Sequence, residues 1–169
     1  MYSLNVPIPG AVERLANDLH PKLTGFDRLR DRHAVVCKRF AADEDDYHRL
    51  RERLRTALSP TPAFEATVTG VDAFETPTHG PGPVVYLAVE SPGLRDLHRR
   101  LVETFGVVHD DLEGAAYVPH VTLARDGPPE AVDRLLATDI EPVSWTVSEL
   151  HLWSRARRET AWRVSLPRP

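Results

Sequence analysis

The chain has 169 residues, 41% of them apolar and 27% charged, enough for one substantial core and too apolar for a disordered chain. Its formal charge of −4, from 25 acids against 21 bases, argues against long-duplex binding but leaves room for a local basic patch that holds a small anion or an RNA end. No run is long and apolar enough to span a membrane, no signal-like start is present, and the single Cys37 can form no internal disulfide and no cysteine-rich zinc site, so a cytoplasmic protein is expected.

Met1–Ile8 reads as an opening strand, closed by Pro7, Pro9 and Gly10. Val12, Leu15, Ala16 and Leu19 recur at spacings of three and four, which predicts an amphipathic helix over Ala11–His20 that Pro21 ends. Lys22–Asp31 is polar, contains Gly25 and reads as a loop. Arg32–Phe40 is a β-rich run that opens with His33. Strand parity places His33, Val35, Cys37 and Arg39 on one face and turns Ala34 and Val36 inward.

Asp43–Leu58 is a predicted helix with an acidic first turn and the stripe Tyr47, Leu50, Leu54, Leu58. Phe64–Phe74 and Val84–Val89 read as a hairpin whose long connection, Glu75–Pro83, is rich in Pro and Gly and carries His79. Pro92–Phe105 repeats the helical theme with Leu94, Leu97, Leu101 and Phe105, and Gly106–Ala116 reads as a polar loop.

Tyr117-Val-Pro-His-Val-Thr-Leu-Ala-Arg125 is the second strand to carry a histidine near its start. Here His120 and Thr122 share one face while Val121 and Leu123 share the other, so an imidazole and a hydroxyl are delivered together. Asp126-Gly-Pro-Pro129 breaks the strand and starts a helix to Ala137. Pro142–Ser154, with a bulge expected near Ser148, and Thr160–Leu166 are the last strands.

The order β-α-β-α-β-β-α-β-α-β-β implies an α+β fold with two pseudo-symmetric antiparallel sheet lobes flanked by helices. The whole of 1–169 is read as one domain, with approximate halves 1–78 and 79–169 and one histidine strand in each. His33 and His120 are then expected to face each other across a central cleft. Phe40 and Tyr117 are candidates for stacking on a base, although the core is the commoner place for such residues.

On these residues the chain resembles the two-histidine phosphoesterase superfamily, on the branch of the 2′-5′ RNA ligases and RNA 2′,3′-cyclic phosphodiesterases. Pro119-His-Val-Thr-Leu-Ala-Arg125 matches the family's second His-x-Thr-x motif. Ser148-Glu-Leu-His-Leu152 with Thr160–Leu166 is similar to its closing hairpin, and the resemblance covers nearly the whole chain. It implies the bilobal LigT-like fold, with His33 and His120 as the catalytic pair and Thr122 and Arg125 as phosphate ligands; strand parity adds Arg39, on the face of His33, as a further phosphate ligand. It further implies RNA ends or cyclic nucleotides as substrates, with no metal and no cofactor; a monomer is the default expectation.

An imidazole pair suits such chemistry, because an ordinary pKa of about 6.5 lets one ring be neutral and the other protonated near neutrality. Which ring is base and which is acid stays open, as does the direction, hydrolysis of a cyclic phosphate or joining of a 2′-5′ linkage. The first motif departs from the family: His33-Ala-Val-Val36 has Val35 where threonine or serine is usual. On this reading one hydrogen bond to phosphate is lost, about 1.5–3 kcal/mol. A catalytically weakened module that binds nucleotides or RNA ends is the alternative.

Overall fold

The computed structural model describes residues 1–169 and contains nine strands and four α-helices. The strands are β1 (Tyr2–Pro7), β2 (Arg28–Leu29), β3 (Ala34–Phe40), β4 (Phe64–Phe74), β5 (Val84–Glu90), β6 (His120–Arg125), β7 (Val143–Val147), β8 (Glu149–Ser154) and β9 (Glu159–Ser165). Each helix buries the stripe its periodicity predicts. On α1 (Gly10–Leu19) this is Val12, Ala16 and Leu19, and on α2 (Tyr47–Leu58) Leu50, Leu54 and Leu58. On α3 (Pro92–Phe105) it includes Leu94, Leu97 and Leu101, and on α4 (Pro129–Leu136) Ala131, Val132 and Leu135. Ser91 caps α3, its hydroxyl accepting from the Leu94 N–H at 3.1 Å. No helix is long and apolar enough to cross a membrane.

The strands form two antiparallel sheets, in the orders β3-β1-β8-β9 and β2-β6-β5-β4-β7. The two halves of the chain repeat one unit, strand, helix, strand, helix, strand, and each half lends strands to the sheet of the other. β4 adds to β5, and β8 adds to β1. The lobes are therefore not the sequence halves 1–78 and 79–169; each sheet draws strands from both.

Two further differences from the sequence reading have simple causes. The end of the expected helix and the start of the expected loop Lys22–Asp31 form a 3-10 turn, His20–Leu23, and within the loop Arg28–Leu29 form an edge strand, too short for any periodicity to reveal. At Ser148 the structure has no bulge within one strand. The chain leaves the β4 edge there and joins the other sheet at β1, and this crossing accounts for the change of frame.

A buried polar network ties the two sheets together beside the cleft. The Lys38 side chain on β3 is fully buried and donates to the Arg39 carbonyl at 2.7 Å and to Glu113 Oε1 at 2.9 Å. Glu113 also accepts the backbone N–H groups of Arg39, Val108 and His109. On α3, His98 donates from Nδ1 to the Cys37 carbonyl at 2.7 Å and accepts the Gly114 N–H at Nε2, at 2.9 Å. Its ring stacks on Tyr117 at 3.8 Å, and the Tyr117 hydroxyl donates to the Val36 carbonyl. Phe40 and Tyr117 are thus core residues, 4% and 7% exposed. The segment that leads into His120 is fastened to the strand across the cleft.

Candidate active site

His120 is the first residue of β6, and its position is fixed on three sides. Nδ1 donates to the Val118 carbonyl at 2.6 Å, which leaves Nε2 as the free ring nitrogen. Phe74 and Tyr86 pack against the ring, each with its centroid 5.2 Å away. Burial lowers the imidazole's pKa, and the positive charges of Arg39, Arg30 and Arg125 lower it further against the opposing hydrogen bond from Val118. Thr122 follows on the same face and, with His120, lines a cleft of about 650 Å³ between the sheets.

His33 lines this cleft from the other side. It lies just ahead of β3, and its side chain is 9% exposed. Nδ1 donates to Glu13 Oε1 on α1 at 2.8 Å, so a carboxylate orients the ring. The structure therefore brings the two expected histidines into one cleft, though not from equivalent positions.

The ladder registers show the difference. Along β6, Thr122 pairs with Tyr86 and Ala124 with Val85, so Leu123 is an extra, bulged residue. Along β3, Val36 pairs with Asn5 and Lys38 with Leu4, so Cys37 is bulged in the same way. Both strands then share the burial pattern of alternation broken by two consecutive buried residues. Aligned on their bulges, Arg39 corresponds to Arg125, Val36 to Thr122 and Ala34 to His120. Ala34, Val36 and Arg39 line the cleft, whereas Val35 is fully buried in the core.

This corrects the expected face. Val35 points into the core, and the residue that matches Thr122 is Val36, because His33 stands one residue ahead of the repeat and parity counted from it is inverted. Arg39 still reaches the cleft, since the bulge at Cys37 restores its side. Threonine at Val36 is accordingly expected to raise kcat/KM on a cyclic phosphodiester about tenfold, by adding a hydroxyl that hydrogen-bonds the charged group. The same change at Val35 buries an unpartnered hydroxyl and costs about 1–3 kcal/mol of stability with no gain in rate. Steady-state kinetics and urea unfolding of the two variants separate these outcomes.

Arg125 faces a neighbouring hollow, beside Thr122. Its guanidinium donates to the His79 carbonyl at 3.0 Å, and a Cβ on Gly80 would lie 2.3 Å from Arg125 Nη1, so a side chain there would displace the guanidinium from this position. Burial, with Arg30 and Arg28 nearby, lowers the pKa of Arg125, and burial likewise lowers that of Arg39.

Four other features of the cleft escaped the sequence reading. Arg155 and Arg158, from the turn between β8 and β9, join Arg30, Arg32 and Arg39 on its walls, so a chain with net negative charge presents a basic cleft. The guanidinium of Arg32 stacks on Trp153 at 3.6 Å. Asn5, cross-strand from Val36, turns a buried amide oxygen with no protein partner toward the site. Glu13 behind His33 is the fourth. Only tertiary pairing brings these residues together.

Comparison with known proteins agrees with this architecture. The model of the 2′-5′ RNA ligase superfamily matches residues 12–159. A provisionally named phosphoesterase of Oceanobacillus iheyensis, OB1230, is 30% identical over 126 residues, covering 74% of this chain and 70% of that protein. One of Geobacillus kaustophilus, GK0864, is 27% identical over 168 residues, 88% of this chain and 93% of its own. Among solved structures, TT0787 of Thermus thermophilus superposes with a TM-score of 0.67 at 19% identity, over 99% of this chain and 98% of that one. LigT of E. coli in its apo form gives 0.64 at 19% identity, over 99% and 97%. A second LigT structure, complexed with 3′-AMP, gives 0.62 at 17% identity, over 99% and 98%. The chain belongs to the 2′-5′ RNA ligase superfamily of two-histidine phosphoesterases.

Proposed function

We propose that this protein is a phosphodiesterase that opens a 2′,3′-cyclic phosphate at an RNA end or on a nucleotide and leaves a 2′-phosphate. The observation that carries the reading is the pairing of His120 and His33 on one basic cleft, each ring held at Nδ1 by a protein acceptor. His120, neutral and with Nε2 free, takes a proton from water as the water oxygen bonds to phosphorus. The bond from phosphorus to the ribose 3′-oxygen breaks, and His33 gives that oxygen a proton, with Glu13 compensating the charge of the protonated ring. Thr122 and Arg39, which line the cleft, hold the non-bridging oxygens, whose charge grows in the transition state. With a 5′-hydroxyl in place of water as the nucleophile, the same displacement forms a bond from phosphorus to the 5′-oxygen, breaks the bond to the 3′-oxygen and leaves a 2′-5′ linkage. Nucleotide complexes of LigT and of Kluyveromyces marxianus Usb1, the latter with uridine monophosphate, support a nucleotide-shaped ligand for this fold.

Ala34 and Val36, standing where the other half has its histidine and threonine, favour a second reading, a non-catalytic binder of RNA ends. Incubation of the protein in EDTA with a short RNA bearing a 2′,3′-cyclic phosphate decides between them. Product carrying a 2′-phosphate supports the enzyme; micromolar binding with no product supports the binder.

A further inference from the structure

Beside the cleft, and sharing Arg30, Asp31 and Thr122 with it, lies a second hollow of about 400 Å³ walled by Arg28, Leu29 and Arg125. Arg28 and Arg125 are direct cross-strand partners in the β2–β6 ladder, an arrangement that like charges make unfavourable. Arg30 follows Arg28 by two residues and joins them on the same wall. Arg125 gives one N–H to the His79 carbonyl, while Arg28 and Arg30 give their guanidinium groups to no acceptor in the chain. Asp31, the one acid on this wall, pairs with none of the three. Leu29, 47% exposed between two of the arginines, offers an apolar surface at the same place.

Three guanidinium groups held together without a protein counter-charge, on a chain of net charge −4, fit an anion that is absent from the protein itself. Because Thr122 and Arg30 line both hollows, the anion seated here is a close neighbour of the one in the cleft.

We propose that the hollow seats the phosphodiester next to the reacting one, with the adjoining sugar and base against Leu29. The preferred substrate is then an RNA chain with a terminal cyclic phosphate rather than a free cyclic nucleotide. This rests on the phosphodiesterase reading above. A free cyclic nucleotide has one phosphate and leaves the hollow empty, whereas any longer chain fills both places.

The test compares cytidine 2′,3′-cyclic phosphate with an RNA trinucleotide ending in the same group, for the wild-type protein and Arg28→Gln. Wild type is expected to favour the trinucleotide at least tenfold in kcat/KM. Arg28→Gln is expected to lose about five- to tenfold on the trinucleotide and nothing on the mononucleotide. In parallel, a 5′-fluorescein trinucleotide with a 2′-phosphate end is titrated by anisotropy at several salt concentrations. Loss of Arg28 should flatten the slope of log affinity against log salt by about 0.7. Equal kcat/KM on both substrates, unchanged in Arg28→Gln, overturns the second seat while leaving the phosphodiesterase reading intact. Absence of turnover on either substrate overturns that reading instead, and the titration then decides the seat. A weaker, less salt-sensitive Arg28→Gln supports it, and identical curves reject it.

Discussion

Replacement of His120 by alanine is expected to lower turnover of a 2′,3′-cyclic phosphate about 10²- to 10⁴-fold, with the fold and most of the substrate affinity retained. The ring is held in place by Val118, Phe74 and Tyr86, so on the proposed reading its removal takes away a preorganised base rather than a flexible contact. Its environment also sets the pH dependence. Burial first, and then the charges of Arg39, Arg30 and Arg125, hold the pKa of His120 below the ordinary value of about 6.5. The neutral form that accepts a proton therefore persists as pH falls through that value, and the acidic limb of kcat/KM lies below it. Arg39→Gln removes a positive neighbour and should move that limb to higher pH, in addition to weakening phosphate binding. A rate within a few-fold of wild type in His120→Ala contradicts the assignment of this ring as the base.

Lys38→Met is expected to destabilise the protein by about 3–5 kcal/mol, because it leaves the Glu113 carboxylate buried without its counter-charge. The Lys38 and Glu113 side chains are 0% and 2% exposed. Burial by itself would raise the carboxyl's pKa, but hydrogen bonds from Lys38, Val108 and His109 outweigh it, and the group is held below the usual carboxylate range. Removal of the ammonium leaves the desolvation in place and takes away the largest compensating partner. Making the partner neutral as well, in Lys38→Met with Glu113→Gln, should recover part of the loss, since an amide oxygen can still accept the backbone N–H groups. Urea unfolding measures both. A change under about 1 kcal/mol for Lys38→Met would show that the pair contributes little to holding β3 against the segment before His120.

The strength of this pair explains something the sequence conceals. Lys38 and Arg39 read as two more charges flanking a histidine, and parity assigned them to opposite faces, which is correct. What parity could not supply was the bulge at Cys37, which makes two consecutive residues face inward and so places a lysine in the core. A bulge depends on the partner strand, and the partner, β1, is separated from β3 by a helix, a turn and an edge strand. The second motif was legible because Pro119 precedes its strand and His120 and Thr122 keep strict alternation up to Leu123. The first was misread by one residue because His33, conspicuous by its chemistry, lies outside the strand and ahead of the repeat. The helices were legible from their apolar spacing. The exchange of strands between sheets was not, because alternation reports which face a residue occupies and says nothing about which neighbour its strand will choose.

On the proposed reading, imidazoles from two non-equivalent positions act on one phosphate, and His33 is the one displaced from the repeat. Single-turnover hydrolysis of a short RNA with a 2′,3′-cyclic end, measured in EDTA for wild type and His33→Ala, tests it most directly. The expected result is release of a 2′-phosphate end by wild type and a loss of about 10²-fold or more in His33→Ala, with binding of the RNA largely unchanged. A His33→Ala protein that turns over at the wild-type rate would contradict the account, and would leave His120 as the one histidine engaged in the chemistry.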